Sequence, residues 1–579
     1  MRKTTLIALL IFSKTIFSQE KDSLKNRIIL SGNFESSGQW YTNDVRRGIS
    51  HDSVPLRSNN YLALNASFNK FSGGIQIESY ENEALLNFNP KYSKTNIGTY
   101  FLNYKNDKLD VTAGYFYEQF GSGLALRSWE DRSLGINNSI RGGKIVYKPL
   151  DQISLTVLYG NQRTGFDVSK GKIFGFNTEV DFIKLLFPNA KYSISYAGSF
   201  VNRNEDLPED VKGVNHNTYI ISNRMSFNKD RFYVNLEYDY KSKDAVLNNS
   251  NLDYNFVKPG NAILINLGYA EKGFGIDASL RRIENMLFLS ERKPEIYGNG
   301  NSLNYNDKFL NYIPSLTKQH HSALANIYVY QSQNITSMQF DEKIEKFGEI
   351  GGQIDLFYHL KKGSFLGGKY GTKISLNWSE LYNLDADYSY FNSNAEYAPN
   401  YSAKFLGTNQ KYFSEKSIEI SKKITPAFSG LVSVIHQFYN DQYIRGIFQD
   451  SKINSTILFA EGTLIFPNTK SLKISAEHLW TSSDRKNWVG GSLEYAHNEN
   501  FSIFASDIYN YGFEEDNRLI NPTDLFDIHF YNFGATYRKN NFRLSLNYGR
   551  QRGGLVCVGG ICRFVPPSTG LGMQLNYAL

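Results

Sequence analysis

Leu109-Asp110-Val111-Thr112-Ala113-Gly114-Tyr115-Phe116-Tyr117-Glu118 alternates between two kinds of side chain. One parity is apolar, Leu109, Val111, Ala113, Tyr115 and Tyr117, and the other is mostly polar, Asp110, Thr112, Gly114, Phe116 and Glu118. A period of two residues is that of a β-strand, whose successive side chains point to opposite faces. The stretch therefore predicts a strand with one apolar face and one polar face.

The same alternation recurs along the chain. Segment 232–240 places Phe232, Val234, Leu236, Tyr238 and Tyr240 on one parity, and segment 542–548 repeats the pattern. About two dozen such segments of about 9 to 13 residues can be marked, which is the length that a tilted strand needs to cross a hydrocarbon core. No helical periodicity of comparable strength interrupts them.

Composition excludes two other classes for this chain of 579 residues. With 21% charged residues and a mean hydropathy of -0.42, the sequence lacks the repeated apolar runs of a helical membrane bundle. Its 15% aromatic residues and only 14 prolines exclude a disordered chain. The sequence predicts an all-β protein.

The connections between the segments favour a transmembrane antiparallel outer-membrane β-barrel. Very short turns such as 106–107, 229–230 and 540–541 alternate with long polar loops such as 119–139, 242–259 and 285–321. Short turns on the periplasmic rim and long loops outside the cell are typical of outer-membrane barrels. A soluble sandwich or propeller, the alternative, would turn its polar face outward and carry fewer aromatic residues.

We expect 24 strands, with 26 as the alternative, because a single-chain barrel of this kind has an even number. The alternation of short turns and long loops fails between 320 and 381, where three candidate segments give an odd count. Assigning 320–332 to an elongated loop gives 24 strands, although no physical argument decides between the two numbers.

The first residues have the features of a secretory signal peptide. Arg2 and Lys3 precede an apolar stretch that ends near Ser18, and Lys14 makes the stretch too interrupted for a membrane anchor, the alternative. We therefore expect a signal peptide at 1–18, a short polar leader at 19–27 and the barrel at 28–579. The short leader leaves no room for an N-terminal plug domain, and we expect no domain after the last strand.

The net charge and the last residues of the chain indicate which partners to expect. Removing residues 1–18 takes away three of the 63 basic residues, which leaves 60 against 56 acidic ones and a net charge of +4, so we expect no nucleic-acid partner. Leu571, Met573, Leu575, Tyr577 and Leu579 alternate to the last residue, like the C-terminal signal that barrel-assembly machinery recognises. The expected partners are outer-membrane lipid, that machinery, and a capping or envelope-complex protein.

Three blocks carry a resemblance to a known family. They are Tyr117-Glu118-Gln119-Phe120-Gly121-Ser122-Gly123-Leu124 with the continuation 126–138, then 367–373, and finally Cys557-Val558-Gly559-Gly560-Ile561-Cys562-Arg563. The chain resembles a family of Bacteroidota outer-membrane proteins of unknown function over nearly all of its mature length, departing from it at 333–347. The resemblance implies a barrel in the outer membrane of a Gram-negative bacterium and implies no activity.

The candidate functional residues form a pore or loop charge cluster at a strand end and in the loop that follows it. The cluster comprises Glu118, Arg127, Glu130, Asp131, Arg132 and Arg141. Mixed charges at this place suit a charged constriction in a lumen. An ion-pair network that only fixes the loop is an equally good interpretation, and the two are compatible.

Catalysis, cofactors and metals find little support. The nine histidines are scattered, with no His-Glu-x-x-His or Gly-x-Ser-x-Gly element, and Gly121, Gly123, Gly368 and Gly371 lack the spacing of a nucleotide site. We expect no enzyme, cofactor or metal, although the His320-His321 pair could bind a metal and a lipase set could be spread across strands. The main functional hypothesis is a channel or porin-like transporter for hydrophilic solutes, narrowed by inward loops. The alternative is a non-conducting subunit of an envelope secretion or assembly complex.

The two cysteines, Cys557 and Cys562, are predicted to form a disulfide. Gly559-Gly560 suits a two-residue hairpin turn, which makes Cys557 and Cys562 a non-hydrogen-bonded pair with Cα atoms about 4.5 Å apart. An oxidising compartment supports the bond. Free thiols or a metal pair are the alternatives. Mass spectrometry of non-reduced, alkylated protein should show neither cysteine labelled, and labelling of both would contradict the bond.

Overall fold

The structure is a computed structural model. It describes residues 27–50, 54–87, 89–207, 213–248, 251–297, 302–305, 307–333, 337–339, 344–388, 401–511, 527–558 and 561–579. The predicted signal peptide and all of the leader except Arg27 lie outside these residues.

A single sheet of 24 antiparallel strands dominates the fold, as the alternation of side chains predicts. Its first half consists of β1 Ile29–Tyr41, β2 Leu56–Phe68, β3 Phe71–Glu81, β4 Lys94–Lys105, β5 Leu109–Phe116, β6 Ile140–Leu150, β7 Ile153–Thr164, β8 Asp167–Asp181, β9 Tyr192–Asn204, β10 Asn217–Lys229, β11 Phe232–Asn248 and β12 Asn251–Glu271. The second half consists of β13 Phe274–Glu284, β14 Glu349–Leu360, β15 Thr372–Tyr388, β16 Tyr401–Lys423, β17 Phe428–Asn440, β18 Lys452–Ile465, β19 Ser471–Trp480, β20 Trp488–Ala496, β21 Phe501–Asn510, β22 His529–Lys539, β23 Phe542–Gln551 and β24 Ser568–Ala578.

The sheet closes on itself. Each strand pairs with its neighbours in the chain, and β24 pairs with β1 from Asn33 opposite Ala578 to Tyr41 opposite Gly570. Closure gives every strand two partners, so that no edge is left unpaired. The predicted barrel of 24 strands is confirmed and the alternative of 26 is excluded, because 320–332 belongs to the long connection between β13 and β14.

The two side-chain parities face opposite sides of the wall. On β11 Leu236 and Tyr238 are 43% and 46% exposed, whereas Glu237 and Lys241 are 8% and 1% exposed. Glu237 accepts a hydrogen bond from the Ser122 amide and Lys241 donates one to the Leu287 carbonyl, both in loops inside the barrel. The polar parity therefore lines the lumen and the apolar parity forms the outer surface.

The barrel has a short-turn rim and a long-loop rim. Most short-turn connections have two to five residues, but the turns after β8 and β14 are longer, 182–191 and 361–371. The long-loop rim carries the remaining connections. The expected loop at 242–259 is wrong, because β11 and β12 extend to Asn248 and from Asn251 as a hairpin whose register shifts twice.

The connections between the barrel strands contain short strands and short helices. Paired short strands are Gln119–Phe120 with Leu126–Arg127, Glu130–Asp131 with Ile136–Asn137, Glu295–Tyr297 with Ser302–Asn304, Ser337–Gln339 with Ile344–Lys346, and Gly554–Val558 with Ile561–Val565. In the described residues, the helices are α1 Phe182–Leu186 and α2 Asp441–Ile444, and single 3₁₀ turns lie at Val45–Arg47 and Leu324–Asn326. Across the described ranges, every helix is too short to cross a membrane.

The backbone register bears on the predicted disulfide. Cys557 lies directly opposite Cys562 in the hairpin of the last long loop. The Gly559-Gly560 turn lies outside the described residues. The bond itself stays a prediction.

The orientation of the parities can be tested by arginine substitution at two adjacent positions of β11. Leu236→Arg places a charge on the outer surface and should cost about 2 to 4 kcal/mol if that surface faces lipid. Asn235→Arg places the same charge in the lumen and should be tolerated. The measurement is the amount of heat-modifiable, membrane-assembled protein, and equal amounts of the two variants would contradict this orientation.

Candidate functional site: a plugged lumen

Two loops fold into the barrel and form what we call the plug, residues 117–139 and those residues of 285–333 that the structure describes. The backbones of the two loops are joined, because the Arg127 amide donates to the Leu310 carbonyl at 2.8 Å and the Tyr312 amide donates to the Gly123 carbonyl at 2.9 Å. Loop 82–93 supports both: the Asn87 amide group donates to the Gly135 carbonyl at 3.0 Å and to Asp307 at 2.9 Å. The three segments form one body inside the lumen.

An apolar cluster seats one side of the plug on β5 to β13. Its plug members are Phe120, Leu124, Ala125, Leu126, Met286, Phe288 and Leu310, and its wall members are Phe116, Ile140, Leu158, Ile173, Val201, Ile220, Ala262, Leu264 and Ile283. Phe116 is the one large apolar residue on the polar parity of β5, and it is buried in this cluster. The departure from strict alternation therefore marks a position where the wall contacts the plug.

A second apolar cluster seats the other side of the plug. Leu324, Ala325, Ile327, Tyr328 and Tyr330 pack against wall residues that include Leu381, Tyr412, Ile435, Leu479 and Trp488. The Glu477 carboxylate of β19 accepts hydrogen bonds from the Ser322 hydroxyl and, at 3.1 Å, from the Leu324 amide at the start of the 3₁₀ turn. The plug thus spans the lumen from β5 to β22.

Charged groups complete the contact between wall and plug. Arg292 of the plug pairs with Asp244 at 2.7 Å and with Glu205 at 3.3 Å, and Arg203 of β9 also pairs with Asp244, at 3.0 Å. Arg203 donates to the Leu289 carbonyl of the plug at 2.9 Å. All four charged side chains are buried, so each depends on the others for its compensation.

A third group anchors the plug at the start of β14. The Glu349 carboxylate accepts hydrogen bonds from Arg281 and from the Tyr330 hydroxyl, and from the Gln333 amide at 2.8 Å. Burial, and next the Glu349 charge, raise the pKa of Tyr330 well above its usual value, which keeps the hydroxyl neutral and able to donate. In the adjacent hairpin, burial lowers the pKa of Lys346 to about 8.

The structure brings together two of the six predicted cluster residues. Arg132 contacts Glu130 at 3.1 Å, and it also reaches Glu35 of β1 at 2.7 Å and Gln76 of β3 at 2.8 Å. Glu118 instead pairs with Lys144 of β6 at 3.2 Å. The Arg132–Glu35 and Glu118–Lys144 ion pairs tie the plug to the inner wall.

The other three predicted residues lie apart from that network. The Arg127 guanidinium lies over the rings of Tyr312 and Trp129, 4.2 and 4.8 Å from their centres. Asp131 accepts a bond from the Leu134 amide at 3.1 Å and so shapes its own turn. Arg141 follows the buried Ile140 on β6 and therefore points to the outside of the barrel, where it is exposed.

The half of the lumen near the short-turn rim is a polar vestibule. Half-buried side chains line it in hydrogen-bonded pairs: Asn103 donates to Asp110 at 2.6 Å, Gln353 donates to Asp355 at 2.8 Å, and Thr536 and Ser545 lie 2.8 Å apart. Within the described part of the chain, no three His, Cys, Asp or Glu side chains converge to hold a metal ion. His320 contacts Glu415 at 2.7 Å, and His321 stacks on Phe459.

Sequence reasoning missed the most buried ion pairs. Glu78 of β3 and Arg163 of β7 form two hydrogen bonds of 2.6 and 2.9 Å with side chains 1% and 0% exposed. The available signal was the charged residue Glu78 on the lumen parity of β3. The parity of Glu78 predicts that its side chain faces the lumen. It does not predict that Arg163 is its partner, because β3 and β7 are four places apart in the sheet.

The Glu78–Arg163 pair should behave as a mutually dependent buried pair. Arg163→Met leaves an unpaired buried carboxylate and should cost about 3 to 5 kcal/mol, lowering the thermal unfolding midpoint followed by circular dichroism in detergent. The double variant Glu78→Gln/Arg163→Met removes that charge and should recover part of the loss. A double variant less stable than Arg163→Met would contradict this account.

A search of curated proteins gives no match. Among solved structures, the chain is similar to the P pilus usher PapC translocation pore, with 8% identity, a TM-score of 0.41 and coverage of 96% of this chain and 99% of the other. It is also similar to a BenF-like porin from Pseudomonas fluorescens Pf-5, with 10% identity, a TM-score of 0.33 and coverage of 81% and 97%. A third is the siderophore receptor PirA from Pseudomonas aeruginosa, with 8% identity, a TM-score of 0.39 and coverage of 96% and 81%.

The sequence blocks singled out above fall within a single family model. That model, described as a family of unknown function, DUF6029, matches residues 1–579. Because the match extends over the whole sequence, the chain belongs to this family of unknown function.

Proposed function

We propose that this protein is an outer-membrane channel for hydrophilic solutes that its own plug holds closed at rest. The supporting observation is a lumen that the plug blocks in its long-loop half and that polar side chains line in its other half. A closed barrel of 24 strands is far wider than a porin, so without a plug it would leak large solutes.

Membrane residence rests on the outer surface. Large apolar side chains are exposed on strands all around the barrel, among them Leu64, Ile145, Leu236, Leu280, Ile354, Val432, Leu493 and Leu546. An apolar surface that encircles the molecule would make it aggregate in water, but lipid tails would cover it. We therefore place the short-turn rim in the periplasm and the long loops outside a Gram-negative cell, of the Bacteroidota by the resemblance of the sequence blocks.

The contacts between plug and wall suggest how the channel opens. The buried ion pairs of Arg292, Glu205 and Asp244 hold the plug against β9 and β11. Water can replace such contacts if the plug moves, because hydration compensates charges that separate. Water does not compensate the loss of apolar packing around Tyr328 and Tyr330, so that part of the plug would remain in place.

A second candidate function is a non-conducting subunit of an envelope complex. The observation that favours it is the extent of apolar packing on both sides of the plug, which resembles a permanent core more than a gate. For either function we propose that the protein is not an enzyme and uses no cofactor. We also propose that the C-terminal strand is presented to the barrel-assembly machinery and that no nucleic acid binds.

Single-channel recording in planar bilayers separates the two candidates. The wild-type protein should open rarely. Arg292→Ala leaves Glu205 and Asp244 buried with Arg203 as the one described arginine that still pairs with them, which loosens the plug and should produce frequent large openings. Arg231→Ala removes an exposed ion pair at the short-turn rim and is the matched control, expected to behave like the wild type.

Silence of both Arg292→Ala and a variant that lacks residues 317–333 would contradict the channel and support the non-conducting subunit. Frequent openings of Arg231→Ala would show that any lost arginine opens the pore, which would contradict the proposed role of the plug contacts.

A further inference from the structure

The turn 361–371 between β14 and β15 is the feature of the short-turn rim that the proposed channel leaves unexplained. It has the sequence Lys361-Lys362-Gly363-Ser364-Phe365-Leu366-Gly367-Gly368-Lys369-Tyr370-Gly371. Most other turns on this rim have two to five residues, which is enough to join two antiparallel strands. The additional length is not required by the barrel.

The turn is held in one conformation by its own hydrogen bonds. The Gly363 amide donates to the Gly368 carbonyl and the Gly368 amide to the Ser364 carbonyl, both at 2.8 Å. The Ser364 hydroxyl donates to the Lys361 carbonyl at 2.7 Å. Such internal bonds make the turn a fixed structure, in contrast to a flexible linker.

Glycines make this conformation possible. Gly363, Gly368 and Gly371 have φ angles of 81°, 61° and 86°, in the left-handed region that other residues rarely adopt. A Cβ atom on Gly367 would lie 2.0 Å from the Lys361 carbonyl oxygen, closer than any contact allows. The turn therefore depends on four glycines, which is a strong requirement for a connection that only reverses the chain.

The fixed turn displays apolar side chains at its tip. Phe365 is 99% exposed and Leu366 is 62% exposed. Ile424, at the end of β16 beside this turn, is 54% exposed. A rigid tip that holds a phenylalanine away from the rest of the protein has the form of an anchor residue that enters a pocket of a partner.

Positive charge surrounds this tip. Lys361, Lys362, Lys369, Lys373, Lys422 and Lys423 lie in or beside the turn, and neither 360–374 nor 420–428 contains an Asp or Glu. All six belong to the described part of the chain, and none of them forms an ion pair with a carboxylate there. The uncompensated charge is complementary to an anionic surface.

We propose that turn 361–371 is a docking site for a periplasmic protein whose acidic surface surrounds an apolar pocket for Phe365. The orientation of the site rests on the membrane placement proposed above. A protein fits better than the lipid leaflet, because a fluid bilayer accepts any conformation of an apolar loop. A turn fixed in advance lowers the entropic cost of entering a pocket of defined shape.

The test replaces Phe365 by the photo-crosslinking residue p-benzoylphenylalanine in the full chain in cells. Irradiation should give one discrete adduct with a protein that mass spectrometry identifies as periplasmic and acidic. Adding Lys361→Glu, Lys362→Glu and Lys369→Glu should reduce the adduct about tenfold or more, since like charges then face each other. The matched control adds Lys70→Glu, Lys108→Glu and Lys148→Glu on the same rim and should retain the adduct.

Heat-modifiable migration of each variant verifies assembly of the barrel in the same samples. If the triple variant assembles poorly, Leu366→Asp with all lysines retained is the second variant, and it should also lose the adduct. Adducts with phospholipid alone, or a protein adduct insensitive to both changes, would overturn the docking site. Crosslinking does not depend on conductance, so a silent channel leaves this inference standing and an absent adduct leaves the channel standing.

Discussion

The width of the barrel is the constraint on which the rest of this structure depends. Strands about 4.8 Å apart and tilted by about 40° give a round barrel of 24 strands a diameter of about 48 Å. A lumen of that size cannot be filled by wall side chains alone. The wall therefore has to supply both a polar lining and a seat for inserted loops. The large apolar and ion-paired contacts of the plug follow from that requirement.

The same constraint explains where the lumen wall departs from alternation. Near the short-turn rim the inner parity is polar and hydrated, as Asn103 and Asp110 show. Near the other rim the inner parity carries Phe116, Leu158 and Ile220, because these side chains face protein there. Arg203 is buried among them together with its partners, Asp244 and the Leu289 carbonyl, since an isolated charge in that place would be far too costly. The strands that carry these residues thus combine a hydrated half and a half packed against protein on one face.

The sequence predicted the parts of the fold that local periodicity encodes. Alternation in 109–118 and 232–240 was sufficient to predict that these segments are strands and which of their faces is apolar. The assignment of 320–332 to a loop led to the correct number of strands. The partners of the plug could not be predicted, because Glu78 meets Arg163 and Arg132 meets Glu35 across long stretches of chain. Arg127 and Asp131 are close in the sequence, and this closeness was the basis for predicting one charge cluster. The fold separates their side chains.

The proposed docking site and the plug are connected by one strand. β14 begins at Glu349, which accepts hydrogen bonds from Arg281 of β13 and from Tyr330 of the plug. It ends at Leu360, where the turn that displays Phe365 starts. Hydrogen bonds to β13 and β15 along its whole length prevent this strand from moving by itself. A partner bound at the turn would therefore act on three strands together, two of which, β13 and β14, carry the Arg281–Glu349 contact. The proposed periplasmic partner would thus have a mechanical path to the plug without entering the lumen.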